Sequence, residues 1–249
     1  MDPFFEIEYE LRHFEMNKFG EASPSIMLAL LEEAAAEHCY AINYGLHDLK
    51  RHDIGWVLVS GALHMERYPR YKEKIKIRTW LSSYSTVRGF RENLIFDAAG
   101  NIIGKAKGLW MFFDIRRRRP VPIYQEIIDQ WSFDSSESIQ HNISRKMDPL
   151  REAHDPRVFT VRQSDIDMYL HVNNVKYLQW LLDSIPDEVM EHSCMQFIEG
   201  RFLSEIQYGD KVVMLSERNT AENTFLHSVM IEDTGRICAT AKTIWQPRK

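Results

Sequence analysis

DIDMYLHVNN, Asp165 to Asn174, sets Asp167, Tyr169, His171 and Asn173 at alternate positions just before an apolar-periodic stretch, and Glu205 follows in SEIQYGD. A histidine beside carboxylates is the equipment of general acid–base catalysis, because imidazole changes charge near neutral pH and a carboxylate takes or orients a proton. If Asn173 or Asn174 caps a helix, the free N–H groups and partial positive charge at that helix start suit an oxyanion. Taken singly, each residue has a plainer reading: Asp167 as a turn residue, His171 as a loop histidine, Glu205 as an exposed strand carboxylate. The set rises above that reading because of where else in the chain it is missing.

The chain repeats itself. Shifted by 135, FRENLIFDAAGNIIGKAKGLW (Phe90 to Trp110) falls on FLHSVMIEDTGRICATAKTIW (Phe225 to Trp245) with six identities in 21 positions, Gly100 and Gly235 among them. Composition alone gives about one. A shift of 150 lays YELRHFEMNKFGEASPSIMLALLEE on FTVRQSDIDMYLHVNNVKYLQWLLD, and a shift of 137 lays RYKEKIKI on QYGDKVVM. The order is preserved, so the chain is a duplicated unit of about a hundred residues. Where the second copy has Asp167, Tyr169, His171 and Asn173, the first has Asn17, Phe19, Glu21 and Ser23, and Tyr68 stands where the second has Glu205. What both copies keep is what the fold requires, so polar groups confined to one copy are the better candidates for chemistry.

Each unit must supply a short strand, a loop, one helix and several strands. In the first, Ser23 is an N-cap with Pro24 at the first helical position, and Met27, Leu30, Leu31, Ala34 and Ala35 give one apolar face. In the second, the capped helix carries Val175, Leu178 and Leu182. KIKIRTWL alternates like a strand, with Ile75, Ile77 and Leu81 on one face. AAGN and DTGR read as hairpin turns. One helix and a meandering antiparallel sheet make an α+β unit. The Ser-, Asp- and Glu-rich stretch from Asp129 to Asp155 reads as a linker, which sets units over 1–128 and 157–249 around a linker at 129–156.

Composition narrows the function classes. The chain has 249 residues, 44% hydrophobic and 27% charged, which is ordinary for a folded domain pair and excludes disordered or disulfide-scaffold classes. Lys and Arg number 31 against 36 Asp and Glu, a net charge of −5 that gives no general affinity for nucleic acid. Cys39, Cys194 and Cys238 lie far apart with no metal-ligand spacing, so neither zinc nor disulfides are expected and a reducing cytoplasm suits them. Apolar runs such as Ile26 to Leu31 fall far short of the ~20 residues of a membrane helix. The acidic, alternating start MDPFFEIEYE reads as strand and as no targeting segment. His38 falls on the apolar helix face and reads as a satisfied core histidine.

RQSDIDMYLHVNNVKYLQW (Arg162 to Trp180) followed by SEIQYGDKV (Ser204 to Val212) resembles the second-repeat signature of the plant and bacterial acyl-acyl-carrier-protein (acyl-ACP) thioesterases. WVLVSGALHMERYPRYKEKIKIRTW (Trp56 to Trp80) and WMFFDIRRRRPVPI (Trp110 to Ile123) resemble that family's first repeat, so the likeness covers nearly the whole chain. It implies a double hotdog, each a long helix wrapped by a curved antiparallel sheet, and hydrolysis of the thioester of fatty acyl-ACP without any cofactor. The implied catalytic residues are Asp167, His171 and Glu205, with water as the nucleophile. Glu205 orients or activates it, His171 supports it, Asp167 fixes local geometry, and the amides of Val172, Asn173 and Asn174 receive the oxyanion. Two positions depart from the family. Tyr169 holds the motif's Asn position and either donates in its place or weakens the site, and Ile206 stands where some members carry a cysteine beside the glutamate.

With chemistry in one copy, Met27, Leu31, Trp56 and Leu58 of the other are expected to line the acyl chain, and Arg116, Arg117, Arg118 and Arg119 to meet an acidic carrier protein. A run of like charges is also commonly just a solvated segment. Two rival readings stay open: a general acyl-CoA thioesterase, since the same arginines suit CoA phosphates, and an acyl-thioester-binding protein that Tyr169 has made catalytically weak. The expected assembly is a monomer whose repeats form a pseudo-dimer, or a homodimer.

Overall fold

The computed structural model describes residues 3–220 and 222–248. The chain falls into two compact units that divide between Ile143 and Ser144. In the first, β1 (Phe5–Glu10) leads through a 3-10 turn (His13–Glu15) to α1 (Pro24–Ala41) and α2 (Leu46–Arg51), then to β2 (Ile54–Met65), β3 (Lys74–Tyr84), β4 (Arg88–Asp97) and β5 (Ile102–Asp114). The short β6 (Arg119–Pro120) pairs with β5, and α3 (Gln125–Gln130) follows. The second repeats the series: β7 (Arg157–Thr160), a 3-10 turn (Gln163–Asp165), α4 (Asn174–Asp183), α5 (Asp187–His192), β8 (Ser193–Phe202), β9 (Lys211–Asn219), β10 (Thr224–Ile231) and β11 (Ile237–Pro247). Sheet order is β1-β3-β4-β5-β2 in the first and β7-β9-β10-β11-β8 in the second, the same path with every pair antiparallel.

Local chemistry starts and stops these elements. Ser23 caps α1 by accepting from the Ile26 N–H at 3.3 Å, with Pro24 behind it, and Met27, Leu30, Leu31 and Ala34 are buried. Asn173 caps α4 by accepting from the Val175 N–H at 2.8 Å. The buried face of α4 is Tyr177, Leu178, Trp180 and Leu181, which keeps the expected Leu178 and corrects Val175 and Leu182, both only half-buried. Tyr and Trp bury more area than the aliphatic residues and turn the helix toward their own side. Gly100 and Gly235 occupy the left-handed region at φ 83° and 65° in the two matching hairpin turns, which is why a glycine recurs there.

His38 is a satisfied core histidine. Its Nδ1 lies 3.1 Å from Arg91 Nη1 and its ring stacks on Phe5 at 5.2 Å. Part of the stretch with linker composition lies on the first unit: Trp131 and Ile143 are buried, Trp80 Nε1 donates to the Ser136 carbonyl at 3.0 Å, and Ser138 Oγ donates to buried Glu92 at 2.7 Å.

Candidate active site

The loop that carries His171 is organised by Asp167. Its Oδ1 accepts from the N–H groups of Tyr169 (2.8 Å) and His171 (3.2 Å), while its own N–H donates to the His171 carbonyl at 2.8 Å. The first unit builds the same loop with Asn17, whose Oδ1 accepts from Phe19 (2.9 Å) and Glu21 (3.2 Å). Such side-chain-to-backbone turns are what Asn and Asp do well. Asp167 thus holds the geometry of its neighbours, as Asn17 does. At the tip, Leu170 sits at φ 65° where the first unit has Gly20 at φ 73°. A leucine there costs about 1 kcal/mol of strain that glycine avoids.

Glu205 follows the end of β8. The Leu203 and Ser204 N–H groups donate to the Cys238 carbonyl at 2.8 and 3.2 Å, and Gly209, at φ 85°, donates to Val161 at 3.2 Å. The first unit makes the counterparts of the outer bonds, Glu66 N–H to Ile103 at 2.9 Å and Lys72 N–H to Leu11 at 3.0 Å. Between these fixed points the Glu205 carboxylate meets His171, Oε1 to Nε2 at 3.5 Å, with the side chains 28% and 24% exposed. That exposure leaves both within reach of water and substrate. The separation is the slightly long one common before substrate binds. Among the described residues, His171 Nδ1 has no hydrogen-bond partner.

The two units part company beside this pair. In the first, the Ala22 N–H donates to the Pro69 carbonyl at 2.8 Å and Glu21 bridges Arg70, which closes the loop onto the strand-side segment. The counterpart Val172 N–H makes no hydrogen bond among the described residues. The bridge between Ile166 and Val172 leaves it unused, because the bonds flanking that pair run from Asn173 N–H to the Asp165 carbonyl (2.9 Å) and from Asp167 N–H to the His171 carbonyl (2.8 Å). Of the three expected oxyanion donors, Asn173 is therefore already engaged, Val172 is open, and Asn174 opens α4.

Met27 and Leu31 lie on the buried face of α1 and Leu58 is buried in β2. Trp56, half-buried in β2, packs on Phe112 at 4.8 Å and on Trp131 at 5.8 Å. Arg116, Arg117 and Arg118 occupy the exposed turn from β5 into β6, of which exposed Arg119 is the first residue; Arg118 is at φ 53°, and the Arg117 N–H donates to Asp114 Oδ1 at 2.7 Å. Among the described residues no cluster of three or more His, Cys, Asp or Glu could hold a metal ion, and no helix is long and apolar enough to cross a membrane.

Two neighbours of Glu205 escaped the sequence reading. Arg236 Nη2 donates to the Glu205 carbonyl at 3.3 Å, and the pKa of Tyr177 on α4 is raised by burial first, then by the nearby Cys238 and Glu205. The signal was available: their counterparts in the first copy are Asn101 and Met27, so a charged group and a hydroxyl each appear in one copy alone.

A helix packed on an antiparallel sheet, built twice in the same strand order, is a double hotdog. Two solved structures share it across their length. An acyl-ACP thioesterase from Bacteroides thetaiotaomicron matches with TM-score 0.87 at 22% identity, covering 98% of both chains. The 12:0-ACP thioesterase from Umbellularia californica matches with TM-score 0.87 at 21% identity, covering 100% of this chain and 99% of that one. Residues 3–131 match the acyl-ACP thioesterase N-terminal domain and residues 150–247 the C-terminal domain, so the chain belongs to the acyl-ACP thioesterase family. It is similar to a chloroplastic acyl-carrier-protein hydrolase of Cuphea viscosissima, 26% identical over 259 residues, covering 96% of this chain and 61% of that protein. It is also similar to the chloroplastic oleoyl-acyl carrier protein thioesterase 2 of Arabidopsis thaliana, 25% identical over 284 residues, covering 98% of this chain and 77% of that one. The chain spans about three fifths of the length of the Cuphea relative.

Proposed function

We propose that the protein hydrolyses the thioester of fatty acyl chains borne by acyl carrier protein, releasing free fatty acid and the carrier thiol. The observation that carries this reading is the His171–Glu205 pair, 3.5 Å apart beside the open Val172 amide and present in the second unit alone. Water held by the pair attacks the thioester carbon, and the pair takes its proton as the new C–O bond forms. The carbonyl oxygen becomes an oxyanion on the Val172 N–H at the start of α4. When the tetrahedral centre collapses, the C–S bond breaks and the sulfur leaves with the proton that the pair held. Asp167 supports this by fixing the loop amides. Apolar residues of the first unit, Met27, Leu31, Trp56 and Leu58, read the acyl chain, and Arg116 to Arg119 attract the acidic carrier.

A panel of acyl-ACP substrates and the same acyl groups on CoA, assayed for free fatty acid and free thiol, tests the reading. Release from acyl-ACP is the expected result. Turnover confined to the CoA esters moves the protein to a general acyl-CoA thioesterase, and saturable binding without turnover makes it an acyl-thioester-binding protein.

A further inference from the structure

At Tyr177 the two copies differ in the chemistry they bury. The first unit has Met27 at this position, fully buried, and the second has a phenol of which 9% is exposed. Tyr177 is the fourth residue of α4 and Val172 the residue before its cap, the two positions that pack together across a helix start. Side chains in a helix lean toward its N-terminus. The phenol therefore leans toward the loop that ends in the open Val172 amide. Its ring meets Phe202, three residues before Glu205, edge-on at 5.0 Å, and Trp180 at a tilt at 5.6 Å. The hydroxyl has no hydrogen-bond partner among the described residues. Burial, then the neighbouring Cys238 and Glu205, raises its pKa above the ordinary phenol range, so it stays a protonated donor through the range where imidazole titrates.

A buried tyrosine whose hydroxyl has no protein partner, on the same helix start as an amide with none, is a pair of donors waiting for an acceptor. We propose that Tyr177 is a further catalytic residue, its hydroxyl donating to the thioester oxygen and completing with the Val172 N–H a two-donor oxyanion site. This rests on the hydrolase reading above.

Tyr177→Phe removes the donor and keeps the ring that Phe202 and Trp180 pack against. The expected result is a kcat lower by about 10²-fold with KM nearly unchanged, the size seen when one oxyanion donor is lost. Affinity for a trifluoromethyl ketone analogue of the acyl-pantetheine thioester, which becomes tetrahedral, should fall in parallel, while a thioether analogue without a carbonyl binds as before. Where the phenylalanine variant does not fold, Tyr177→Met, carrying the first unit's own side chain, gives the same readouts. An unchanged kcat, or equal weakening of both analogues, overturns the role of Tyr177 and leaves the hydrolase reading standing. A wild-type protein that turns over no thioester removes both.

Discussion

Acid should cost this protein stability through two histidines that the fold keeps neutral, one in each unit. His38 lies half-buried on α1 beside the Arg91 cation, and desolvation first, then that charge, lowers its pKa to about 3. His227 in β10 is bonded at Nδ1 to Ser216 Oγ (2.8 Å) and at Nε2 to Thr243 Oγ1 (2.9 Å), and burial lowers it to about 3 as well. In the unfolded chain each titrates near 6.5. As pH falls from about 6.5 toward 3 the unfolded chain takes up protons that the folded one refuses, so stability falls with pH across that window. Linkage gives a loss of about 1 kcal/mol for each histidine between pH 7 and about 5.5, or roughly 2 kcal/mol for the two. The figure hardly depends on how far below 4 the folded value lies, because the folded imidazole is already proton-free at pH 5.5. The assay is urea unfolding across that range for the wild type, His38→Gln and His227→Gln. Each variant should start less stable at pH 7, having lost a buried partner, yet lose about half the wild-type decrement. A wild-type decrement under about 1 kcal/mol, or variants that keep all of it, would refute the account of burial. Activity profiles below pH 6 would then report unfolding as well as the chemistry of His171 and Glu205.

The proposed catalytic pair should respond as a unit: His171→Ala and Glu205→Ala each lower kcat by about 10²-fold or more at unchanged thermal midpoint, while Glu21→Ala in the matching loop of the first unit has a much smaller effect. Near-normal turnover in both folded variants would remove the pair from the site. Leu31→Phe narrows the interior of the first unit at the buried face of α1, and a misfit of methylene size shifts substrate preference by ~1–3 kcal/mol, so the product profile should move to shorter chains. Arg117→Ala with Arg118→Ala should raise KM for acyl-ACP and flatten its salt dependence, with little change for a short acyl-pantetheine thioester that lacks the protein.

Local signals were readable and non-local ones were not. Ser23–Pro24 and Asn173 announce helix starts because capping depends on residues a few positions apart, and the glycines of AAGN and DTGR announce turns because a left-handed φ is a property of one residue. The face of α4 was misplaced because an aliphatic stripe was weighed above Tyr177 and Trp180, whose rings make the larger contact. Polar composition in 129–143 gave no hint that Ser138 would meet a buried carboxylate on β4 or that Ser136 would accept from the Trp80 indole. His227 is buried by hydroxyls from the strands on either side of β10, and nothing within its own strand marks it.

The duplication makes each unit the other's control. The bonds that carry the Asx loop, the cap and the segment after β8 recur, so Asp167 and Asn173 are accounted for by positions where the first copy uses Asn17 and Ser23 to the same end. What remains after that subtraction includes His171 for Glu21, Glu205 for Tyr68, Arg236 for Asn101, Tyr177 for Met27, and an open Val172 amide for the bonded one of Ala22. Each change alone would be destabilising or neutral, since it places a titratable group, a buried hydroxyl or an unpaired N–H where the other unit keeps a closed contact. Their convergence around one carboxylate is hard to explain by packing and follows directly if the second unit must leave room, a proton acceptor and hydrogen-bond donors for a thioester carbonyl.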